Sequence, residues 1–407
     1  MKKIFRLVHL WLSVPFGLVI AAICFSGAAL VFEPEIMRLC YPARYYVERI
    51  GERPLPLEQL VASVSRQLPD SVTIAAVQIP ASPAETYRIG FPGRGTPPVY
   101  VDPYTGNICD NAAARGSFFS VMRRLHRWLL DDFRYGGKPS VGKIVVGVST
   151  LAFVFIIVGG IVVWIPKSRK GLRANLSVKL RFGWKRTLRD MHVALGIYAA
   201  LILLALALTG LTWSFGWYRS GFYRVFGAEP PKLTARNASP PSPPQQQQQQ
   251  QGGSRGEGEA GRGERRGGGE NPAGGRRSGG AVDYSRWQVA VDRVREQHPD
   301  YRSLTIQDGQ VLASLSSTGN SRAADVYTFN AQTGDLTDVS LYRDADRSRK
   351  LRGWIYSVHV GSWGGMVTRI LTFLAALFGA TLPLTGYYLW ISRYVQRRKK
   401  RRRQPSF

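Results

Sequence analysis

Four long apolar runs divide the chain and predict its main elements: Leu7–Phe32, Val141–Ile165, Met191–Phe215 and Met366–Ile391. A helix needs about 20 consecutive, mainly apolar residues to cross a bilayer, and each run meets that length. The pattern therefore predicts four membrane-spanning helices. The first run is too long for the apolar region of a typical signal peptide and ends without a clear small-x-small cleavage site, so we interpret it as a retained anchor.

The polar segment after the first run contains shorter elements. Leu57–Leu68 has helical apolar spacing, whereas Val72–Ile79, Thr86–Phe91 and Pro98–Val101 have the composition of strands. Asp102–Gly106 follows with proline and glycine at positions typical of a turn. Together these patterns predict a small α+β unit.

The second half of the chain repeats this order. Five positions recur there at one constant offset, where Val61, Val64, Gln67, Pro69 and Asp70 correspond to Val291, Val294, Gln297, Pro299 and Asp300. The second and fourth runs match at nearly the same offset, with Lys143 corresponding to Arg369, whereas the first and third runs match at a smaller one. Residues 231–280 account for the change in offset, and their Pro, Gln, Gly and Arg content predicts disorder.

The predicted fold is an integral-membrane, α-helical four-span bundle with two small α+β domains and an internal two-fold duplication. The two copies are parallel repeats about an axis along the membrane normal. The predicted segments are spans at 1–32, 141–165, 191–216 and 366–391, α+β domains at 33–120 and 281–345, outer interfacial segments at 121–140 and 346–365, a cytoplasmic loop at 166–190, an outer linker at 217–280, and a cytoplasmic tail at 392–407.

The formal net charge of +28 would suggest nucleic acid in a soluble protein, but here the basic residues cluster beside apolar runs. They precede the first run, separate the second from the third, and follow the fourth, which is the positive-inside pattern. This distribution argues against nucleic-acid binding and places both termini in the cytoplasm. The loop at 166–190 is expected to contact lipid headgroups, with docking of an acidic reductase as the alternative.

Three cysteines change little in this picture. Cys24 lies within the first run, where it is expected to pack as a small apolar residue. Cys40 and Cys109 both fall in the first outer segment, where a disulfide is chemically feasible.

Four of the five histidines form two predicted pairs. His9 and His192 begin the first and third runs, and each precedes a glycine by the same number of positions. His126 and His359 lie shortly before the second and fourth runs. Their offset is slightly larger than that of the runs that follow, and an insertion within Leu129–Gly137 would explain the difference. The fifth histidine, His298, corresponds to a leucine in the other copy, so we expect a structural or surface role.

A pair of imidazoles near each membrane face would suit a six-coordinate haem, whose iron takes one axial histidine from each side. Arg123, Arg124, Arg127 and Arg189 flank the histidines and could pair with haem propionates. Small residues would let helices and a flat macrocycle approach closely, and the candidates are Gly17, Gly27, Gly159, Gly160, Gly196, Gly210, Gly361, Gly364, Gly365, Gly379 and Gly386.

Other roles for these histidines stay open at this point. They could anchor helices at the headgroup level or serve a proton relay. Two metal ions are a further alternative, although each face lacks the cysteine or carboxylate that would complete a tetrahedral set. The aromatic residues near the span ends, among them Trp164, Trp217, Tyr387, Tyr388 and Trp390, are expected to form an interfacial belt.

The chain resembles the PepSY-associated transmembrane proteins, also called iron-regulated membrane proteins of Gram-negative bacteria. The resemblance covers nearly the whole chain except 231–280, and an ordered set of motifs carries it: Leu125-His126-Arg127-Trp128, Arg189-Asp190-Met191-His192, the Ser26-Gly27 and Thr209-Gly210 turns of the first and third spans, Thr385-Gly386-Tyr387-Tyr388-Leu389-Trp390, and the two Thr-Gly units of the small domains.

Some members of this family are inner-membrane ferric-siderophore reductases with two bis-histidine haems. The resemblance thus implies a bacterial inner-membrane location, periplasmic outer segments, and axial pairs of His9 with His192 and of His126 with His359. No Cys-x-x-Cys-His motif is present for covalent attachment, so b-type haem is expected. The implied function is an electron conduit that reduces a periplasmic acceptor, most simply a ferric siderophore.

The electron donor is expected to be a separate molecule. The cytoplasmic loop and tail are each shorter than the about 30 residues of a nucleotide-binding βαβ unit, which favours a cytosolic flavoprotein reductase or membrane quinol. The alternative function is a haem-free protein whose small domains bind or inhibit periplasmic partners. A transporter of the iron complex is a third hypothesis, disfavoured by the near absence of acidic residues within the spans.

Overall fold

The computed structural model describes residues 2–69, 72–92, 97–111, 118–131, 140–166, 168–230, 284–315 and 319–402. The insert predicted to be disordered, 231–280, lies outside the described residues. So do the last residues of the basic tail, 403–407, and much of the predicted insertion within 129–137.

Twelve α-helices and eight strands make up the described parts of the chain. The helices are α1 (Lys2–Val31), α2 (Glu33–Cys40), α3 (Pro42–Tyr45), α4 (Leu57–Arg66), α5 (Phe118–Trp128), α6 (Val141–Trp164), α7 (Arg169–Leu176), α8 (Trp184–Ser214), α9 (Gly216–Val225), α10 (Tyr284–Gln297), α11 (Arg347–His359) and α12 (Gly365–Arg402). The strands are β1 (Ala76–Pro80), β2 (Tyr87–Gly90), β3 (Val99–Val101), β4 (Ile108–Asn111), β5 (Tyr301–Gln307), β6 (Gln310–Leu315), β7 (Ala324–Phe329) and β8 (Leu336–Ser340).

Four helices are long and apolar enough to cross a membrane, as the four runs predicted. They are α1, α6, α8 and the Ser362–Gln396 stretch that contains most of α12. Each packs against two neighbours, α1 and α8 both contacting α6 and α12, so the four form a closed bundle. Its interior is apolar, with Ile20, Ile156, Leu203 and Ala375 among its buried side chains.

Three of these helices extend past the apolar runs. α1 begins at Lys2 rather than Leu7, α8 begins at Trp184 rather than Met191, and α12 continues to Arg402. Helical hydrogen bonding needs no apolar side chain, and lysine and arginine are good helix formers, so basic flanks continue the helix. Hydropathy therefore located the membrane crossing and not the helix ends.

The polar segments meet in one antiparallel sheet. Its strand order is β4-β3-β2-β1-β5-β6-β7-β8, so each half contributes four consecutive strands and the halves join where β1 pairs with β5. α4 and α10 pack together, and their residues share one apolar core with the sheet, including Leu60, Val77, Trp287 and Ile306. The sequence predicted two separate α+β domains, and the structure joins them through this central strand pair.

Two shorter helices, α5 and α11, connect the sheet to the four-helix bundle. α5 follows β4 and packs on α1 and α6, whereas α11 follows β8 and packs on α8. α5 carries His126 and α11 carries His359. Both helices lie outside the four spans, yet each places a histidine against a span.

Candidate functional site

The structure brings His126 and His359 together at one end of the bundle. Their ring centroids are 6.1 Å apart, with an interplanar angle of 54°. Trp213 lies edge-on to the His359 ring at 5.0 Å between centroids. The two histidines, which come from opposite halves of the chain, therefore form one site, which we call the outer histidine pair.

Each histidine of the outer pair is fixed at its Nδ1 atom. His126 Nδ1 is 2.9 Å from the carbonyl oxygen of Ile23, and His359 Nδ1 is 3.1 Å from that of Leu206. Hydroxyl oxygens lie beside both nitrogens, Ser26 Oγ at 3.5 Å and Thr209 Oγ1 at 3.1 Å. Because a carbonyl oxygen can only accept, Nδ1 carries the hydrogen and Nε2 keeps its lone pair in the neutral ring.

His9 and His192 are held in the same way at the other end of the bundle. His9 Nδ1 is 2.8 Å from the carbonyl oxygen of Ile156, and His192 Nδ1 is 2.9 Å from Thr385 Oγ1. The Thr385 hydroxyl donates to Leu382, so its oxygen is placed to accept from the imidazole. His9 and His192 are close enough to interact electrostatically, and we call them the inner histidine pair.

A glycine lies beneath every one of the four imidazoles. A Cβ added at Gly27 would lie 3.0 Å from His126 Cε1, and at Gly210 3.1 Å from His359 Cε1. The corresponding distances are 3.2 Å from Gly160 to His9 and 3.5 Å from Gly386 to His192. A side chain at Gly27, Gly210 or Gly160 would thus push on the ring, so these glycines permit the rings to seat against helix backbone.

We call each glycine, together with the helix turn that precedes it, a histidine seat. The four seats share one local pattern. In three of them the carbonyl that holds Nδ1 belongs to the residue four before the seat glycine, as in Ile23 with Gly27 and Ile156 with Gly160. In the fourth, Thr385 mediates, and its hydroxyl donates to Leu382, which again is four before Gly386. One turn of helix therefore supplies both the flat seat and the hydrogen-bond acceptor.

The two pairs lie at opposite ends of the bundle. On α1, five helical turns separate His9 from the seat glycine of the outer pair, Gly27, which corresponds to a rise of about 27 Å. On α8, His192 and Gly210 have the same separation. That rise is close to the thickness of a bilayer's hydrocarbon core, so each pair lies near one membrane face.

The outer histidines are neutral. Burial lowers the pKa of His126, against a smaller opposing effect of its hydrogen bond to Ile23. Burial, followed by the neighbouring His126, lowers the pKa of His359 to about 3. A metal ligand must be the neutral imidazole, and both rings meet that requirement at physiological pH.

The spacing of the outer pair would allow both imidazoles to hold one metal ion between them. A metal–imidazole bond of about 2 Å, with about 1 Å from each ring nitrogen to its ring centre, places two such centroids about 6 Å apart. The observed 6.1 Å agrees. A second ring nitrogen that donates to a carbonyl is the usual outer-shell partner of a metal-ligating histidine. These residues therefore fit a bis-histidine haem at the outer pair, and the inner pair repeats the same donor set.

Three of the four arginines proposed as propionate partners lie in different surroundings. Arg123 donates to Glu33 at 2.6 Å and is already paired. Arg127 interacts electrostatically with both outer histidines and lies 5.2 Å from the Trp128 ring. Arg189 is exposed on α8, while its neighbour Asp190 is buried and paired with Arg186. Of the three, Arg127 is the one whose charge the structure brings to both rings of a pair.

Two sequence-based interpretations need correction. The Ser26-Gly27 and Thr209-Gly210 dipeptides are not turns, since both lie inside helices, where the glycine seats a histidine and the hydroxyl faces it. Tyr387 does not belong to an interfacial belt, because its hydroxyl donates to Val14 inside the bundle. In soluble proteins a glycine often ends a helix, which explains the first error, but glycine is frequent within membrane helices.

The other candidate residues lie apart from the histidine pairs. His298 Nε2 is 3.4 Å from Asp325 Oδ2, beside the Tyr327 ring in the sheet. Cys24, Cys40 and Cys109 all lie within the described residues and remain thiols, so the feasible disulfide is not formed. Within the described residues, no group of three or more histidine, cysteine or carboxylate side chains could hold a metal ion.

The sequence predicted two histidine pairs, and the structure brings each pair together, but the sequence did not indicate the groups that position the rings. In the sequence, Thr385 stands out only as part of a motif, and the glycines only as small residues. A signal was available, because three of the four seat glycines directly follow a serine or threonine.

The amino-acid sequence matches a known protein family. A family model described as the PepSY-associated TM region matches residues 6–393, which include the four spans, both histidine pairs and the sheet. No curated protein matches the chain. The match agrees with the four apolar helices of a multi-pass membrane protein. The chain therefore belongs to the family of the PepSY-associated TM region.

Proposed function

We propose that this protein is an inner-membrane di-haem electron conduit that reduces a periplasmic acceptor, most simply Fe(III) held by a siderophore, for iron uptake. The observation that carries the proposal is the four-fold recurrence of one histidine seat. Each imidazole has its Cε1 atom against a glycine and its Nδ1 atom hydrogen-bonded, and the four are arranged as one pair near each end of the bundle.

The free nitrogen of each ring is what supports a metal role. Within the part of the chain that the structure describes, Nε2 of none of the four rings has a hydrogen-bond partner. None of these four Nε2 atoms is among the fully buried polar atoms that lack a partner in the described residues, so each keeps an accessible lone pair. An axial iron bond would satisfy Nε2.

A bis-histidine b-type haem would supply one-electron transfer without an open coordination position for O₂. The chain's own residues define where it would sit. His9 and His192 would hold it near the cytoplasmic face, and His126 and His359 near the periplasmic face. The backbone carbonyls and Thr385 fix each ring's orientation, and the apolar interior around Ile20 and Leu203 excludes water between the two ends.

The internal duplication and the topology belong to the same proposal. Both halves contain span, helix, four strands, histidine helix and span in that order, which supports descent from one duplicated unit. The basic flanks support cytoplasmic termini and periplasmic α5, α11 and sheet. The acceptor would then meet the protein on the side of the outer histidine pair.

Donor and acceptor are separate molecules in this proposal. A cytosolic flavoprotein reductase or membrane quinol would supply electrons near the inner pair. Reduction of Fe(III) to Fe(II) weakens the hold of hard oxygen ligands on the metal, which would release iron from a siderophore in the periplasm. The basic loop at 166–190 would lie against membrane lipid at the cytoplasmic surface.

Replacement of the outer ligands tests this assignment. His126→Ala and His359→Ala should each reduce the haem content from two to one per chain and abolish reduction of a ferric siderophore. The absorption spectrum after dithionite reduction and a pyridine haemochrome count measure the first effect, and a ferrous-iron chelator assay measures the second.

His298→Ala is the matched control, because this histidine follows α10 and lies beside Asp325 of β7, apart from both histidine pairs. It should keep both haems and full reductase activity. Unchanged haem content in both outer-pair variants would refute the ligand assignment, and a protein without haem would favour the alternative in which the sheet domain binds or inhibits periplasmic partners.

A further inference from the structure

Four cationic side chains gather beside the outer histidine pair from four separate elements. Arg127 ends α5, Lys143 lies in the first turn of α6, Arg219 lies on α9, and Arg322 precedes β7. All four are half-buried. We call them the outer basic cluster.

Their charges lie close to one another and to the histidines. Arg127 interacts electrostatically with His126, His359 and Arg322. The hydrogen bond from Gly142 N–H to Asp131 holds the first turn of α6, with Lys143, against the end of α5, with Arg127. Lys143 also interacts electrostatically with Arg127 and Arg219. The cluster is therefore continuous from Arg219 to Arg322, with Arg127 at its centre.

Aromatic rings contact the two cations of the cluster that lie closest to the histidines, Arg322 and Arg127. The Arg322 guanidinium lies 3.6 Å from the ring centroid of Tyr356, which is three residues before His359 and so on the same side of α11. Arg127 lies over the Trp128 ring. The Arg322 guanidinium also forms a hydrogen bond with the Tyr356 side chain, and its remaining donors are available for a planar anion such as a carboxylate.

No carboxylate neutralises this cluster within the described residues. None of the four cations forms an ion pair there, and the carboxylates nearby are used elsewhere. Glu33 pairs with Arg123, Asp131 accepts from the backbone of Gly142 at 2.9 Å, and Asp346 accepts from the backbone of Arg349 at 2.6 Å.

The cluster also contains an unsatisfied donor. Arg219 Nε is buried and has no hydrogen-bond partner in the part of the chain that the structure describes. The like charge of Arg123 adds to that of Arg322 beside Arg127. Like charges held together out of water are costly unless an opposite charge joins them. The cluster therefore has the charge and the free donors of an anion-binding site.

We propose that the outer basic cluster binds the free carboxylates of the acceptor, which assigns the acceptor to the class of anionic, carboxylate-bearing ferric chelates, of which ferric citrate is the simplest example. This inference rests on the proposed function and names its substrate class. Binding there places the chelate beside the outer histidine pair through Arg127.

The electron count is simple. Each chelate takes up one electron as Fe(III) becomes Fe(II). A quinol or a reduced flavin releases two electrons and two protons, so one donor molecule reduces two chelates.

Carboxylates of bound haem have the same chemistry as those of a chelate, so the test must separate the two sources. The variant is K143Q/R322Q, which removes two charges and leaves Arg127 beside the histidines intact. The control is R66Q/R302Q, which removes two exposed charges from α4 and β5. Full-length protein in detergent is assayed with ferric citrate, which is anionic, and with ferrichrome, a neutral ferric trihydroxamate.

A charge-assisted hydrogen bond contributes about 1.5–3 kcal/mol, and about 1.4 kcal/mol is a factor of ten. K143Q/R322Q should therefore raise the KM for ferric citrate about tenfold or more, without change in kcat, in haem content or in the KM for ferrichrome. The control variant should change neither KM. If both acceptors lose activity together and the haem content or potential shifts, the cluster holds haem propionates and the proposal is wrong. Unchanged KM for ferric citrate also overturns it.

Binding of gallium(III) citrate separates this inference from the proposed function, because Ga(III) has the charge of Fe(III) but is not reduced. Isothermal titration calorimetry needs neither haem nor electron transfer. Binding that weakens about tenfold in K143Q/R322Q, and not in R66Q/R302Q, supports the anion site even in a protein that contains no haem. Absent binding, or equal binding to all three proteins, overturns it. The single variants K143Q and R322Q should show intermediate losses.

Discussion

The seat beneath His126 makes a sharp prediction for Gly27→Ala. The new Cβ would lie 3.0 Å from His126 Cε1 and 3.2 Å from Nδ1, closer than ordinary carbon contacts of about 3.5 Å. The helix backbone cannot retreat, because α1 packs against α6 and α12 on its other sides. The imidazole must therefore move away from α1.

The size of that movement follows from the distances. Restoring an ordinary contact requires a shift of about 0.5 Å, which would stretch the 2.9 Å hydrogen bond from His126 Nδ1 to Ile23. Overpacking of this kind typically costs about 1–3 kcal/mol. Loss of an outer-shell partner of a metal ligand lowers metal affinity about 10- to 100-fold. We therefore expect about 10- to 100-fold weaker haem binding at the outer pair.

Haem titration of the purified apoprotein measures this effect. Wild-type protein should bind two haems, whereas Gly27→Ala should bind one with unchanged affinity and one about 10- to 100-fold more weakly. Gly386→Ala is the matched control, because its Cβ would lie an ordinary 3.5 Å from His192 Cε1. It should bind both haems as wild type does. Gly210→Ala, with its 3.1 Å approach to His359, should resemble Gly27→Ala. Identical titrations for Gly27→Ala and Gly386→Ala would refute the seat geometry.

Two further predictions concern topology and stability. Cys40 is exposed and free, so a membrane-impermeant maleimide should label it in intact spheroplasts. Buried Cys24 should stay unlabelled until the protein is denatured. If Cys40 is labelled only after the membrane is permeabilised, the proposed orientation is reversed. Arg369 donates to both carboxylate oxygens of Glu35 and to a backbone carbonyl, and its side chain is 16% exposed. Arg369→Gln should therefore lower the free energy of unfolding by about 1–3 kcal/mol, against less than about 1 kcal/mol for Arg38→Gln, whose ion pair is 3.4 Å long and 44% exposed on the arginine side. Equal changes in thermal midpoint for the two variants would contradict the assignment of Arg369 as a tie between α2 and α12.

The spans were predictable because their signal is local. Each apolar run is continuous, and each became a helix of the bundle. The helix ends were not predictable from hydropathy, since Lys2 and Trp184 continue helices without being part of the apolar runs. The four histidines were also predictable, because ionisable residues at the ends of apolar runs are few and recur with the repeat.

The joined sheet was not predictable by the same means. The pairing of Val77 with Ile306 connects strands from opposite halves of the chain. The alternation of apolar and polar residues within a strand does not show which other strand it will pair with. The repeat predicted two similar units but not their shared hydrogen bonds. The distance between His126 and His359 is set by packing on the spans, where α5 contacts α1 and α6 and α11 contacts α8.

The outer basic cluster also lay beyond sequence reasoning. Arg127 is identifiable through its histidine neighbour, but Lys143, Arg219 and Arg322 come from segments with no common pattern. Lys143 stands out in the sequence only as a repeat position. Charges assembled from distant segments become recognisable as a site once folding has placed them together without acids.

The proposed function as an electron conduit requires that the protein contain two haems. The decisive measurement is the absorption spectrum of the purified full-length protein in detergent, oxidised and dithionite-reduced, with haem counted per chain. The proposed function predicts two low-spin haems per chain, with His9 and His192 as the ligands of one iron and His126 and His359 as the ligands of the other. Protein expressed with ample haem supply that shows no Soret band and no bound haem would contradict it.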